Sequence, residues 1–444
     1  MTGDRELTTI EALLCREAHV AVVGLGYVGT PLMAALHHNF SVYGFDTDQR
    51  RIAALQRGVD TTRSADAPRI ADMSERFTSD AAVLARCSLV IVAVPTPVTL
   101  DHRPDLEALR AAARTVGQNI RRGAVVIVES TVYPGVTEEV VGPIIAEEAG
   151  MQAGEDFHIG YSPERINPGD DLHTVERLVK VVAGDCREVT DLMTALYGKV
   201  TGGVIHRAAN IRTAEAAKII ENTQRDLNIA LMNEFAMICD RLGLQTGEVL
   251  RTASTKWNFA RYEPGLVGGH CIGVDPYYLT FAAEQAGHHA RVILAGRQVN
   301  SSMGIYVAER AVSLLRSCGQ HDGRARALIL GLTFKENIPD TRNSQVIEMI
   351  EFLNEHEIET SVFDPEADRQ DVKDRHGISL LQDASVDAPY HVVIAAVRHD
   401  AIRSRYSLEE LRDISVAEQP VLIDIKLIYD RSAAESTGFI YWGL

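Results

Sequence analysis

The chain has 444 residues, too many for one ordinary hydrophobic core, so two or three domains are expected. Apolar residues make up 46% and charged residues 24%, which is the composition of a soluble globular protein. With 44 basic against 61 acidic residues the formal net charge is −17. That excludes nonspecific attraction to nucleic acid or anionic membranes and leaves any anionic ligand to helix N-termini or single cationic side chains.

The first apolar run, His19-Val-Ala-Val-Val, leads into Gly24-Leu-Gly26-Tyr27-Val28-Gly29. A helical pattern follows through Leu36, then a second strand pattern ending at Asp46. This is the GxGxxG turn in its working context, strand before and helix after, and it predicts a dinucleotide. Gly24 makes the turn, Gly26 lets the pyrophosphate approach the backbone and Gly29 lets the helix pack on the sheet. Asp46 lies 22 positions after Gly24, where an acid holds the ribose hydroxyls and repels a 2′-phosphate. NAD is therefore favoured over NADP, although Arg50 and Arg51 stand nearby.

Two further strand patterns end at Pro95-Thr96-Pro97 and at Glu129-Ser-Thr131, where open α/β sheets bind ligands. Thr131 fits a cofactor contact or a turn-capping threonine equally well. A third such end is Tyr161-Ser-Pro-Glu164-Arg165-Ile166-Asn167, a Pro- and Gly-bounded loop that reads as part of a site.

From about Ile211 to Leu242 no Gly or Pro interrupts a helical stripe of Ile220, Leu227, Leu231, Phe235, Ile238 and Leu242. A helix of ~30 residues spans about 45 Å, longer than one domain requires. It reads as a connector whose apolar faces pack on both neighbours and on a second subunit. Lys218 and Asn222 are one turn apart on it. They suit either an oxyanion-holding pair or an exposed lysine beside a structural asparagine.

The stretch Arg261-Tyr262-Glu-Pro-Gly265-Leu-Val-Gly268-Gly-His-Cys271-Ile-Gly-Val-Asp275 sets one cysteine among glycines. It reads as an inert buried thiol or, in such a loop, as an exposed nucleophile. The six cysteines are scattered without a CxxC pair, which fits a reducing cytoplasm and no disulfide framework. The fifteen histidines show no ligand spacing, so no metal is expected. No signal peptide or membrane-spanning run is read. Beyond Arg326 a second set of strand patterns follows, with a single glycine at its first turn and Phe334-Lys335, Asp340 and Arg342 in the loop behind it. Such a loop can hold a nucleotide diphosphate.

Together, Gly24–Gly29, Ser130-Thr-Val-Tyr-Pro-Gly135, Tyr161–Gly169, Lys218-Ile-Ile-Glu-Asn222, Gly268–Asp275 and Phe334-Lys335…Asp340-Thr-Arg342 resemble the UDP-glucose/GDP-mannose dehydrogenase family. Lys256-Trp-Asn-Phe259 followed by Pro-Gly-Leu-Val-Gly-Gly-His-Cys is most similar to its UDP-N-acetylhexosamine branch. Val274 stands where UDP-glucose members usually carry lysine, and Glu263 where relatives in the amino-sugar branch often carry a basic residue, which Arg261 would have to replace. The resemblance implies an α/β architecture of two Rossmann-like doubly wound domains joined by a long central helix and a helical middle domain. The implied bounds are 1–203 for the NAD-binding domain, 204–316 for the helical dimerisation domain with the cysteine loop, and 317–444 for the UDP-sugar-binding domain.

It further implies a cytoplasmic homodimer of a surface-polysaccharide pathway that oxidises C6 of a UDP-sugar to the uronate with two NAD. Cys271 would trap the aldehyde as a thiohemiacetal and carry the thioester. Lys218 and Asn222 would hold oxyanions, and Thr131, Glu164 and Asp275 would place water. Cofactor contacts are implied for Gly24, Gly26, Tyr27, Val28, Gly29, Asp46, Arg51, Pro95, Thr96, Thr131 and Arg342. Substrate contacts are implied for Glu164, Arg165, Ile166, Asn167, Lys218, Asn222, Arg261, Tyr262, Gly265, Gly268, Cys271, Phe334, Lys335 and Lys426. The alternatives are UDP-glucose or UDP-ManNAc as substrate, or a dehydrogenase of the 3-hydroxyacid or 6-phosphogluconate type. The last would need neither Cys271 nor a second nucleotide sheet.

Overall fold

The computed structural model describes residues 7–62, 64–65, 67–165, 177–202, 204–320 and 325–444. The chain forms two compact units, Met1–Glu221 with Tyr277–His288, and Asn222–Pro276 with His289–Leu444.

The first unit forms β1 (His19–Val23), β2 (Ser41–Phe45), β3 (Phe77–Thr78), β4 (Cys87–Val92), β5 (Val125–Val128), β6 (His158–Tyr161), β7 (Lys180–Gly184) and β8 (Ile205–Arg207), with valine and isoleucine concentrated in the central β1, β4 and β5. They join in one sheet of order β3-β2-β1-β4-β5-β6-β7-β8. The pairs from β3 to β6 are all parallel, which is the 3-2-1-4-5-6 order of dinucleotide-binding sheets. The expected Rossmann arrangement is therefore present. The antiparallel turn from β6 to β7 is an addition that sequence reasoning missed.

Every residue of β4 and β5 is buried, as central parallel strands covered on both faces must be. Val20, Val22, Leu89, Ile91, Val125 and Ile127 pack there with Leu32, Met33, Met193 and Tyr197. Each such aliphatic contributes about 1.5–3 kcal/mol, and Ile91→Ala would cost about 2–5 kcal/mol.

The second unit carries β9 (Arg326–Leu330), β10 (Glu359–Phe363), β11 (Val392–Ala395), β12 (Val421–Asp424) and β13 (Ile440–Gly443). Their order is β10-β9-β11-β12-β13, and every pair is parallel. This 2-1-3-4-5 arrangement places its switch point between β9 and β11, beside the loop that carries Phe334 and Lys335.

The long helix runs from Ile211 to Leu242 as expected, and the unit boundary falls within it. Asn210 caps its start by accepting from the Thr213 amide at 2.8 Å, and Gly243, with φ +70, ends it. Its buried positions include Ile219, Ala230, Met232, Asn233, Ala236 and Cys239, and toward its start Glu215, Lys218 and Asn222. Of the stripe read from the sequence, Ile220, Leu231, Phe235, Ile238 and Leu242 are exposed in the single chain. A different helix face, lined by smaller residues, does the packing within it. No described helix is long and apolar enough to cross a membrane.

Candidate active site

In the first unit the glycine turn fits a dinucleotide. Gly24 has φ +91, and a Cβ on Gly29 would lie 1.8 Å from the Gly24 carbonyl, so neither position admits a side chain. A Cβ on Gly26 would meet nothing within 4 Å, which leaves the open approach a pyrophosphate needs before the helix Gly29–His37. Tyr27 and Val28 complete the turn, both partly buried. Asp46 Oδ2 accepts from the Leu25 amide at 2.7 Å and Oδ1 from the Asp48 amide at 2.9 Å, which fixes the carboxylate at the end of β2.

Arg51 is only 9% exposed. Its Nε donates to the Leu25 carbonyl at 2.8 Å, and its amino groups bind Thr30, Thr61 and Asp60. The guanidinium thus braces the turn from below and is not spare for a 2′-phosphate.

The loops after β4 and β5 are tied together. Thr96 donates to the Thr131 carbonyl at 2.7 Å, Ser130 donates to the Val94 carbonyl at 2.7 Å, and the Tyr278 hydroxyl reaches the Thr96 carbonyl at 2.9 Å. Pro95 is exposed at this rim. The buried Glu215 accepts from the Gly135 amide at 2.6 Å and the Thr137 amide at 2.9 Å, holding the far end of the Thr131 loop.

Glu129, next to Ser130, belongs to a buried cluster of acidic and basic side chains. Lys180 Nζ is 2.8 Å from Glu129 and 3.3 Å from Glu164, and the Tyr197 hydroxyl hydrogen-bonds Glu129. Burial and the charge of Glu164 push the Glu129 carboxyl up against the pull of Lys180. Burial opposes the charge on Lys180, but the two carboxylates outweigh it and raise its pKa. Arg165 pairs with Glu221 at 2.6 Å and donates to the Val179 carbonyl at 2.9 Å. Ile166 and Asn167 lie outside the described residues. Lys218 is buried on the long helix.

In the second unit Asn222 Nδ2 donates to Asp275 Oδ2 at 2.6 Å, and both residues are buried. The Asp275 amide in turn donates to the Cys271 carbonyl at 2.8 Å, closing a tight turn with the half-buried thiol at its head. Buried amide side chains shape the loop leading to it. Asn233 accepts from the Gly265 amide at 2.7 Å, donates to its carbonyl at 3.1 Å and binds Asn300 at 2.8 Å. Gln345 donates to the Val267 and Asn300 carbonyls, both at 2.8 Å. Asn343, itself exposed, donates to the Gly269 carbonyl at 3.0 Å.

Sequence reasoning missed all four amides. Only Asn233 interrupts an apolar run, Ala230-Leu-Met-Asn-Glu-Phe-Ala236; the other three sit among polar neighbours and carry no local signal.

A Cβ on Gly268 would fall 2.7 Å from the Asn343 carbonyl, one on Gly269 2.7 Å from the Phe334 ring, and one on Gly265 2.5 Å from Lys426 Nζ. The glycines therefore let the loop lie directly on Phe334 and Lys426. A cleft of about 150 Å³ opens there, lined by Leu266, Gly268, Ile272, Phe334, Lys335 and Lys426. Burial lowers the Lys426 pKa, against the opposing pull of Glu336 and Glu263.

Tyr262 accepts from Gln224 at 3.3 Å, and Arg261 is exposed. Arg342, implied as a cofactor contact, is gripped by Asp340 through Nη2 at 2.7 Å, and Nη2 lies 3.1 Å from His270 Nδ1. Among the described residues, His158, Asp185 and Cys186 alone lie close enough together to suggest metal ligation, and no sequence-derived site residue belongs to that group.

Three family models cover most of the chain, all from the UDP-glucose/GDP-mannose dehydrogenase family. They are the NAD binding domain at residues 18–201, the central domain at 212–302 and the UDP binding domain at 328–431. The chain is 45% identical to a UDP-N-acetyl-D-glucosamine 6-dehydrogenase of Pseudomonas aeruginosa, over 95% of this chain and 99% of that protein. It is 41% identical to a protein of the same name from Salmonella typhi, over 93% and 96%. A solved UDP-D-ManNAc dehydrogenase from Pyrococcus horikoshii superimposes with a TM-score of 0.86 at 28% identity, covering 96% of this chain and 98% of that one. The chain belongs to the UDP-glucose/GDP-mannose dehydrogenase family and is an NAD-dependent nucleotide-sugar dehydrogenase.

Proposed function

We propose that the sugar is a UDP-N-acetylhexosamine, UDP-GlcNAc first, oxidised at C6 from alcohol to carboxylate. The observation that carries this reading is a thiol turn, Cys271 to Asp275, locked by Asn222 and laid over a cleft with two lysines. Identity of 45% and 41% to UDP-GlcNAc 6-dehydrogenases, against 28% to the solved UDP-D-ManNAc enzyme, favours that sugar.

Lys335 and Lys426 hold the diphosphate, with Arg165, Arg261 and Tyr262 toward the sugar. NAD bound at the glycine turn and Asp46 supplies the hydride acceptor, twice per sugar. Water held by Asp275, Lys218 and Thr131 takes the hydroxyl proton of the alcohol. The Cys271 sulfur then adds to the aldehyde carbon, giving a thiohemiacetal that cannot diffuse away. Lys218 and Asn222 stabilise the oxyanion at each stage. After the second oxidation, water placed by Glu164 or Asp275 cleaves the thioester to the uronate and restores the thiol.

The domains we assign are 1–203, 204–316 and 317–444. The exposed stripe of the long helix supports a homodimer, and the free cysteines support a cytoplasmic enzyme of surface-polysaccharide synthesis.

Assaying UDP-GlcNAc, UDP-GalNAc, UDP-ManNAc and UDP-glucose with NAD tests this reading. The expected result is preference for an N-acetylhexosamine with two NADH per uronate. One NADH per product, or turnover confined to UDP-glucose, would overturn it.

A further inference from the structure

The second sheet repeats the opening turn of the first. Gly24 and Gly331 both have positive φ, +91 and +95. Asp46 and Asp364, each just past the neighbouring strand, accept the next amide of the turn, Leu25 at 2.7 Å and Leu332 at 2.5 Å. The two acids differ in what covers them. Asp46 is half-buried, whereas Asp364 is 4% exposed and has the fully buried His399 against it, Nε2 to Oδ2 at 3.2 Å. An imidazole from the loop after β11 thus stops the acid that its counterpart leaves accessible.

The hydrogens around this ring can be assigned. The Asn337 amide can only donate, and it lies 2.9 Å from His399 Nδ1, so Nδ1 accepts and the proton of the neutral ring sits on Nε2. Thr333 gives its hydroxyl hydrogen to the Lys335 carbonyl at 2.9 Å, which leaves its Oγ1 to accept from Nε2 at 3.1 Å. Asp364 holds one end of the loop 332–337 directly, through the Leu332 and Thr333 amides. The other end depends on His399. Asn337 has φ +59, a left-handed setting that needs holding. His399 binds its backbone, and Asp400 exchanges two bonds with its side chain at 2.9 and 3.0 Å. Between these ends stand Phe334 and Lys335, which line the cleft with Lys426.

We propose that His399 is a positioning residue for the nucleotide diphosphate. Its Nδ1 fixes the Asn337 end of the loop and its Nε2 the link from Thr333 to Lys335, so that Phe334 and Lys335 stand in place before the nucleotide sugar arrives. Fully buried, the ring acts only through the loop. A loop already ordered binds more tightly, because that ordering does not oppose association. The proposal rests on the reading that Phe334 and Lys335 hold the diphosphate.

The test is calorimetric titration of the intact protein with UDP, the part common to every sugar nucleotide considered above. His399→Asn keeps an oxygen where Nδ1 stood. His399→Gln carries its amide out to the place of Nε2 and leaves the Asn337 amide unmet. The Kd for UDP should rise about tenfold or more in His399→Gln and about threefold or less in His399→Asn, with NAD binding unchanged in both. In turnover, His399→Gln should raise KM by the same factor while kcat falls by less than about threefold. A ring that only filled the core would lower the urea midpoint and leave UDP affinity alone. That outcome overturns the proposal, as does a His399→Asn protein no better than His399→Gln. If His399→Gln fails to fold, Thr333→Val carries the decision, since it cuts the ring's link to the Lys335 carbonyl and should weaken UDP binding in the same direction. Lys335→Met separates the two levels. Unaltered UDP binding there sinks the reading of the cleft and the proposal with it. Weakened binding there, beside His399→Gln and Thr333→Val proteins that bind like the wild type, sinks the proposal alone.

Discussion

Asn222 Nδ2 sits 2.6 Å from Asp275 Oδ2, so the amide of the long helix and the carboxylate of the thiol turn hold each other in place. Both residues are buried, and a charge-assisted bond in such a setting is among the stronger single contacts. Asn222→Ala removes the donor and leaves the carboxylate without this partner. We expect kcat to fall about 10²- to 10³-fold, the scale of one lost oxyanion donor, with a smaller effect on KM. Steady-state kinetics with the preferred UDP-sugar checks this. An unchanged kcat would show that the pair is only architectural.

Gly265 makes a different demand. A Cβ there would lie 2.5 Å from Lys426 Nζ, so Gly265→Ala must push the lysine out of the cleft. The expected consequence is a KM for the nucleotide sugar raised by about tenfold or more, with kcat nearly kept, because diphosphate binding is shared by ground and transition states. Burial lowers the Lys426 pKa, so the free enzyme loses this charge at a pH below the ordinary lysine value of about 10.4. KM should therefore begin to climb on the alkaline side earlier than an exposed lysine would allow. Lys426→Met should start with a high KM and lose that climb. Parallel KM–pH curves in the two proteins would contradict the role.

Lys180 stands between Glu129 and Glu164 at 2.8 and 3.3 Å. Lys180→Met leaves two carboxylates facing each other with their cation gone, a change that costs about 3–5 kcal/mol when buried. Glu129 already has its folded-state pKa raised by burial and by Glu164. Its protonated form is thus favoured by folding, and that contribution is present below the unfolded value and lost as pH rises through the folded one. The variant should be least stable at neutral and alkaline pH and recover toward acid. Urea melts at several pH values would show this. A deficit independent of pH would point to lost packing instead.

How much of this could be read in one dimension varied with the residue. The turn 24–29 was legible because its glycines answer to backbone geometry, and an apolar strand precedes it while a second strand ends at Asp46. The thiol turn was legible because glycines crowd around Cys271, although what they pack against, Phe334, Asn343 and Lys426, could not be read locally. Asn233, Asn300 and Gln345 were not, since a buried amide on a helix has the same local signature as a solvated one. Only the chain segments that fold back onto them, Gly265 to Val267, reveal their use. Lys180 was missed for a related reason. It opens a strand, where a lysine normally marks an edge, yet it is 4% exposed because two carboxylates enclose it. Arg51 was placed correctly beside the turn, but its donors are spent on Leu25, Thr30, Thr61 and Asp60, which spacing alone does not show.

The long helix leads to the last expectation. Ile220, Leu231, Phe235, Ile238 and Leu242 are between 36% and 67% exposed. Steps of 4, 3 and 4 from Leu231 set the last four on one face. A helix face with this many large apolar residues is what a second subunit covers, and replacing one of them by a charge opposes burial in the assembly while leaving the single chain's core untouched. Leu231→Glu together with Ile238→Glu should therefore halve the mass seen by sedimentation at micromolar concentration. The circular-dichroism spectrum should be unchanged, because neither side chain packs inside the chain. A monomeric wild type, or a double variant that still sediments as a dimer, would move the interface elsewhere.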